Sequence, residues 1–147
     1  MSEAQSAVLA LEDPPTDASL DAIDHGLRGY NRRFFDRGTT VTLCMTVRDG
    51  EGAIVGGCIF HLRWHWLEVE DLWLDDGWRG RGLGRTLLAA VEAEAMRRGC
   101  TKARLDTASF QARPFYEKCG YRTWGTIDDY PPGHAVHYMA KDLTPAQ

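Results

Sequence analysis

The stretch Leu72-Trp73-Leu74-Asp75-Asp76-Gly77-Trp78-Arg79-Gly80-Arg81-Gly82-Leu83-Gly84-Arg85-Thr86-Leu87-Leu88 constrains this chain more than any other. It opens as an apolar, strand-like segment and tightens through glycines at 80, 82 and 84 set among arginines at 79, 81 and 85. Apolar residues then recur at Leu83, Leu87, Val91 and Ala95, the spacing of a helix. The predicted order is strand, glycine turn, helix start. Glycines in such a turn allow positive φ and close backbone approach, so that successive N–H groups converge at the positive end of a helix dipole. This is an anion site, suited to a phosphate or pyrophosphate.

Spacing narrows the ligand. A dinucleotide fingerprint needs G-x-G-x-x-G, and here the third glycine comes one place early; a P-loop needs G-K-[ST], and none follows. What remains is Arg79-x-x-Gly82-x-Gly84, which resembles the [Gln/Arg]-x-x-Gly-x-[Gly/Ala] pyrophosphate loop of the GNAT superfamily of acetyl-coenzyme A N-acetyltransferases. Taken alone, the same six residues also read as a tight turn entering an ordinary surface helix.

At 147 residues the chain is long enough for one domain with a single core and too short for two, so one domain over 1–147 is expected. A formal net charge of −4 argues against generic nucleic-acid binding, which concentrates positive charge. Met1-Ser2-Glu3-Ala4-Gln5 shows no basic leader, and no apolar run reaches bilayer-spanning length. The expectation is a soluble cytoplasmic protein with no membrane partner, and with a homodimer as one admissible assembly. Cys44, Cys58, Cys100 and Cys119 are scattered without C-x-x-C spacing, so they read as reduced core thiols.

In chain order, Ala7-Val8-Leu9-Ala10-Leu11 reads as a short strand closed by Pro14-Pro15. Ser19 to about Phe35 reads as an amphipathic helix with Ser19 as its cap. Val41–Val47 and Ala53–Phe60 flank Asp49-Gly50-Glu51-Gly52 as a hairpin, and Leu62 to Leu74 is strand-rich. A helix from about Gly82 stops at Gly99, and the strand Lys102–Thr107 after this crossover lies parallel to the one before the loop. A short helix, Gln111 to Cys119, ends at Gly120, and a last strand pair starts at Tyr121 and Ala135. The fold class expected is α/β (α+β), a mixed, mostly antiparallel sheet with flanking helices.

A second motif strengthens the resemblance. Ser109-Phe110-Gln111-Ala112 followed by Tyr116-Glu117-Lys118-Cys119-Gly120-Tyr121 is similar to the family's Asn-x-x-Ala…Tyr-Glu-Lys-x-Gly-Phe, with Ser109 standing where the family commonly has Asn. The resemblance covers roughly Leu67 to Met139. It implies a splayed parallel strand pair at the cofactor site and an acetyl-coenzyme A cosubstrate met by Trp73, Leu74, Arg79, Gly80, Arg81, Gly82, Leu83, Gly84, Arg85, Ser109, Phe115 and Tyr116. Leu74 matches the residue whose amide meets the pantetheine or thioester oxygen, and Tyr116 matches the donor to the leaving thiolate. A packing pair, Phe115-Tyr116, is the structural alternative for that tyrosine.

An alkylammonium with a pKa near 10.4 must lose a proton before it attacks a carbonyl, which calls for a base or a water chain. Glu70 is the candidate base, with Glu68 behind it, and Asp71 and Asp106 are further carboxylates near the expected cleft. His61, His65, His134 and His137 are bases by type, but no spacing ties them to the site. The acceptor pocket is expected partly at the first helix, with Tyr30, Phe34, Glu68 and the turn residue Tyr130 as contacts and with aromatic surface also at Phe35, Trp64 and Trp66. No metal is expected. The function expected is transfer of an acetyl group to a primary amine of a small molecule, less readily a peptide. The alternative is a noncatalytic acyl-coenzyme A-binding or sensing module.

Overall fold

Thr-x-x-Ser at residues 16–19 is a helix start, and the chain uses its threonine. Thr16, in extended geometry, accepts the Ser19 amide on Oγ1 at 3.1 Å and begins α1 (Asp17–Asn31). Ser19, expected as the cap, sits one turn inside, its Oγ accepting from the Thr16 hydroxyl at 2.9 Å. The computed structural model describes residues 6–36 and 38–144, so the reading of Met1 to Gln5 lies outside the described residues. They fall into two compact units, Met1–Arg37 and Gly38–Gln147. In the first, the expected strand at Ala7–Leu11 does not form. Val8, Leu9 and Leu11 are exposed and unpaired, as suits a run padded with alanine, a poor strand former.

The second unit is a six-stranded sheet ordered β1-β2-β3-β4-β6-β5, with β1 (Val41–Arg48), β2 (Ile54–Arg63), β3 (Trp66–Leu74), β4 (Lys102–Ala108), β5 (Arg122–Asp128) and β6 (Ala135–Asp142). Helices α2 (Leu83–Arg97) and α3 (Arg113–Lys118) complete it. Every pairing is antiparallel except β3–β4, which is parallel as the helical crossover requires. Asp49 makes the β1–β2 turn by accepting the Glu51 and Ala53 amides on Oδ1, at 2.9 and 3.0 Å. The β2–β3 turn is Trp64-His65, both at positive φ (54° and 65°). Neither residue is a glycine or asparagine, so the sequence read this region as one segment. His65 is held by its carbonyl, which accepts the Thr101 amide at 2.9 Å, and by Nδ1, 3.2 Å from Gly99 O.

One face of the sheet carries the core. Leu67 and Val69 of β3, Ala103 and Leu105 of β4 and Met139 of β6 pack with Leu88, Val91 and Ala95 of α2 and with Tyr116 and Tyr121. Glu92 is buried among them, and it is compensated by Lys141 Nζ at 2.8 and 3.0 Å and by the Tyr121 hydroxyl at 3.2 Å. Tyr121 is thereby a core residue.

Two irregularities of β3 prepare the site. Ile59 pairs with Asp71 but Phe60 with Val69, leaving Glu70 as an extra residue, a bulge. The bulge lets Glu70 and Asp71 both stay exposed while Leu67 and Val69 before it, and Leu72 and Leu74 after it, turn toward the helices. Parallel pairing with β4 spans only Trp66–Lys102, Leu67–Ala103 and Glu68–Arg104. Past Glu68 the strands part, and β4 continues on β6 alone to Ala108–Val136.

Candidate active site

The loop after β3 is built as the glycines require. Gly80 and Gly82 take φ of 75° and 74°, where a side chain is strained, and Gly82 is the N-cap of α2. The first amide of the helix to find a carbonyl is that of Thr86, on Gly82 O at 3.2 Å, so the amides of Leu83, Gly84 and Arg85 form the helix's open N-terminal end. Gly84 is packed rather than strained. A Cβ there would make ordinary contacts, 3.4 Å from Phe115 and 3.6 Å from Leu74, which leaves no room for a branched side chain beyond a methyl. The arginines brace the loop. Arg79 Nε donates to Leu74 O at 3.0 Å, Arg81 lies 5.3 Å from the centre of the Trp78 ring, and Arg85 donates to Lys118 O at 3.4 Å.

Backbone donors face the gap between β3 and β4. The Asp75 amide donates to Val55 O at 2.8 Å, which makes Gly56–Leu74 a non-hydrogen-bonded pair. By the alternation of an antiparallel ladder, the N–H groups of Leu74 and Leu72 then point away from β2, whereas Trp73, opposite Gly57, spends its backbone groups on β2. The Leu74 amide, expected as a donor, thus points to the β4 side, as does that of Leu72, which sequence reasoning did not name, and Trp73 has its side chain exposed instead. Close approach here depends on Gly56, where a Cβ would fall 2.5 Å from the Leu74 side chain and 2.7 Å from Trp73 O.

On α3, Tyr116 is buried edge-on between Phe115 (5.1 Å) and Tyr121 (5.9 Å). Burial, with the Cys58 and Cys119 thiols nearby, pushes its hydroxyl up to about 12. It keeps its proton throughout the neutral range. Ser109 is differently employed, since its Oγ accepts the Ala135 amide at 3.1 Å and so ties the end of β4 to the start of β6. Gln111 locks the same corner, its Oε1 accepting the Ala108 amide at 2.7 Å.

The two glutamates of β3 have unlike partners. Glu68 lies between guanidinium groups, 3.3 Å from Arg63 and 3.5 Å from Arg104. Glu70 Oε2 is 2.7 Å from His61 Nε2, and the far ring nitrogen, Nδ1, is 2.8 Å from Thr42 Oγ1. His61 and Thr42 were not picked out for the site by sequence spacing. They belong to β2 and β1, and only the sheet register brings them together.

The profile of the acetyltransferase (GNAT) family matches residues 9–121. The chain belongs to this family. A blasticidin-S acetyltransferase of Streptomyces morookaense is 45% identical over 93 residues, 63% of this chain and 68% of the relative. An acetyltransferase of Agrobacterium fabrum is 32% identical over 131 residues, covering 89% of this chain and 96% of its own. Among solved structures, an acetyltransferase from Bacillus cereus superposes with a TM-score of 0.85 at 32% identity, over 92% of this chain and 98% of the other. This GNAT protein is therefore an acetyltransferase, and the six-stranded mixed sheet with one parallel pair and flanking helices is that family's fold.

The acceptor residues expected from sequence belong to both units of this acetyltransferase. Tyr30 and Phe34 belong to the first unit, where their rings stand 5.5 Å apart and Arg33 lies over Tyr30. Tyr130 is exposed in the β5–β6 turn, which Asp129 closes by accepting the Gly133 amide at 3.0 Å. On the sheet face away from α2, Trp66, Arg104, Trp124, Tyr138 and Ala140 line an open hollow of about 520 Å³, to which Glu68 is joined through Arg104. Of that lining the sequence reading had only Trp66. No group of three or more His, Cys, Asp or Glu among the described residues could hold a metal ion, and no described helix is long and apolar enough to cross a membrane.

Proposed function

We propose that the chain moves the acetyl group of acetyl-coenzyme A to a primary amine of a small molecule, by direct attack within a ternary complex. The observation that carries this reading is the parting of β3 from β4 past Glu68 and Arg104, where free amides, the glycine loop and an exposed carboxylate all issue from one strand. Acetyl-coenzyme A supplies an activated acetyl thioester. The open amides at Leu83, Gly84 and Arg85 hold its pyrophosphate, and the Leu74 amide, with that of Leu72 beside it, orients the pantetheine and thioester oxygen.

Glu70 takes the proton of the acceptor ammonium, directly or through a water. With arginines on either side, Glu68 is tied to two neighbouring side chains and is suited to holding position. Tyr116 Oη keeps its proton and donates a hydrogen bond to the leaving sulfur. A phenol held at about 12 binds its proton more tightly than a thiol near 8.5, so its contribution is stabilisation of the sulfur's charge more than outright proton delivery. The aromatic hollow and Tyr130 offer planar surface for the acceptor. The blasticidin-S acetyltransferase relative supports a small-molecule acceptor, and four unpaired cysteines fit a reducing cytoplasm.

The test is release of free thiol when acetyl-coenzyme A is mixed with the protein and each of blasticidin S, glucosamine 6-phosphate, tyramine and a peptide with a free N-terminus. Thiol release with a small amine, and a mass gain of one acetyl group on it, is the expected outcome. Turnover of the peptide alone would move the acceptor class to proteins. Tight coenzyme binding with no turnover of any amine would make the chain a noncatalytic acyl-coenzyme A module.

A further inference from the structure

Three strands contribute one side chain each to a chain of hydrogen bonds that ends on the carboxylate at the β3 bulge. Thr42 of β1 stands directly opposite His61 of β2 in the register, and His61 stands opposite Glu68 of β3, so all three project from the same face. The extra residue at the bulge brings Glu70 within reach of His61 as well. Among the described residues, His61 is the one salt-bridge partner of Glu70, whereas Glu68 has Arg63 and Arg104. The Glu70 side chain is about half exposed (53%) and that of His61 less so (24%), so the carboxylate faces solvent while the ring behind it is partly shielded.

The donor and acceptor roles follow from the chemistry of the groups. An ionised carboxylate only accepts, so His61 Nε2 carries the hydrogen of the 2.7 Å bond. In the neutral ring Nδ1 is then an acceptor, and the Thr42 hydroxyl donates to it across 2.8 Å. The order is Thr42 Oγ1–H to Nδ1, then Nε2–H to Glu70 Oε2, and no donor among the described residues meets Oε1, which is open to the acceptor.

We propose that His61, its tautomer set by Thr42, is a positioning residue that aims Glu70 at the acceptor ammonium. The inference rests on the reading of Glu70 as base. In the step it serves, one N–H bond of the ammonium breaks, its proton passes to Glu70 Oε1, and the electron pair stays on the amine nitrogen; His61 keeps its own proton throughout. A carboxylate on a flexible side chain gains rate by being held within hydrogen-bond reach of the proton it takes, and a second residue fixing the base is the general means of doing so.

Two readouts test this. With the panel amine that is turned over fastest, His61→Phe, which keeps a ring and removes both nitrogens, should lower kcat about 10–100-fold, the usual cost of losing a supporting partner, and leave KM and coenzyme affinity near wild type. His61→Gln retains an N–H donor for Glu70 and should recover most of the loss. In the free protein, ¹⁵N spectra of histidine-labelled enzyme above neutral pH should show His61 protonated on Nε2 and bare on Nδ1, and Thr42→Val should mix the tautomers. The spectra need no acceptor. A wild-type kcat in His61→Phe, or an Nδ1-protonated neutral ring in the wild type, overturns the proposal. Glu70→Gln separates the two levels: if it is inactive while His61→Phe is fully active, only the role of His61 falls, and if it is fully active, the base assignment falls as well.

Discussion

The glycine loop and the Thr42–His61–Glu70 face both draw on β3, yet they are built on opposite plans. The loop is contiguous. From Arg79 to Arg85 each functional group is a neighbour in sequence of the next, and its principal donors are main-chain amides that no side chain supplies. The face is assembled, since its three side chains are separated by 19 and 9 residues in sequence and meet only through two antiparallel registers and a bulge. A main-chain site depends on φ and on the absence of side chains. A side-chain site depends on register, and it tolerates changes of backbone detail as long as the register holds.

The largest expected effect breaks the assembled region. Glu70→Gln keeps the shape and an acceptor for His61 but removes the base, so kcat should fall by about 10²–10⁴-fold. Single-turnover chemistry reads this, and a loss below about tenfold would hand deprotonation to water. Next comes Tyr116→Phe, which keeps the buried ring and deletes a donor. A loss of about 10²-fold in the chemical step, with coenzyme affinity retained, fits a hydrogen bond to the leaving sulfur, and an unchanged step would make Tyr116 a packing residue only.

These two regions also differ in how far they could be read from sequence. The strand–glycine–helix order, the parallel crossover and the second motif were all legible, because each is local: periodicity, turn residues and spacing carry it. Leu74 as a donor came from family likeness, and the ladder alternation set by Asp75 N–Val55 O is the physical reason it faces the gap. The bulge, implied by the family resemblance, also has a local trace. Leu67-Glu68-Val69 alternates, and the doublet Glu70-Asp71 then shifts the phase before Leu72-Trp73-Leu74, so the break sits at the extra residue. His61 left no trace, because partnership across strands is written in register, and the turn at Trp64-His65 that sets it lacks glycine or asparagine. Thr16 displaced Ser19 as cap because either hydroxyl suits a helix start and only the structure shows which lies three residues ahead of a free amide.

A smaller effect joins the two regions at Gly56. Its Cβ position overlaps Leu74 and the Trp73 carbonyl, so Gly56→Ala must push the end of β3 outward. Overpacking of this kind costs about 1–3 kcal/mol. Thermal unfolding should show the loss, accompanied by weaker coenzyme binding because the Leu74 amide moves; unchanged stability and affinity would mean that the strand end yields without cost.

The smallest is a dependence of stability on alkaline pH. Burial pushes the Cys58 thiol from 9.0 to about 12 and the Tyr116 hydroxyl from 10.0 to about 12. Below about pH 9 both groups are protonated in the folded and unfolded chains, and their contribution to stability is fully present. As pH rises toward 12 the unfolded chain ionises first, so stability is progressively lost. The melting temperature should therefore fall between pH 9 and 12, and more shallowly in Tyr116→Phe above pH 10. An identical slope in the variant would exclude Tyr116 from that loss.

The central claim is that the contiguous region holds the coenzyme and the assembled one performs the proton chemistry. Calorimetric titration of coenzyme A into wild type, Gly84→Val and Glu70→Gln tests it most directly. In Gly84→Val the added side chain meets Phe115 and Leu74 and lifts the first turn of α2, so the affinity should fall by about tenfold or more, equivalent to roughly 1.4 kcal/mol. Glu70→Gln should bind as the wild type does. Wild-type affinity in a folded Gly84→Val, or an equal loss in Glu70→Gln, would contradict the division of labour between the two regions.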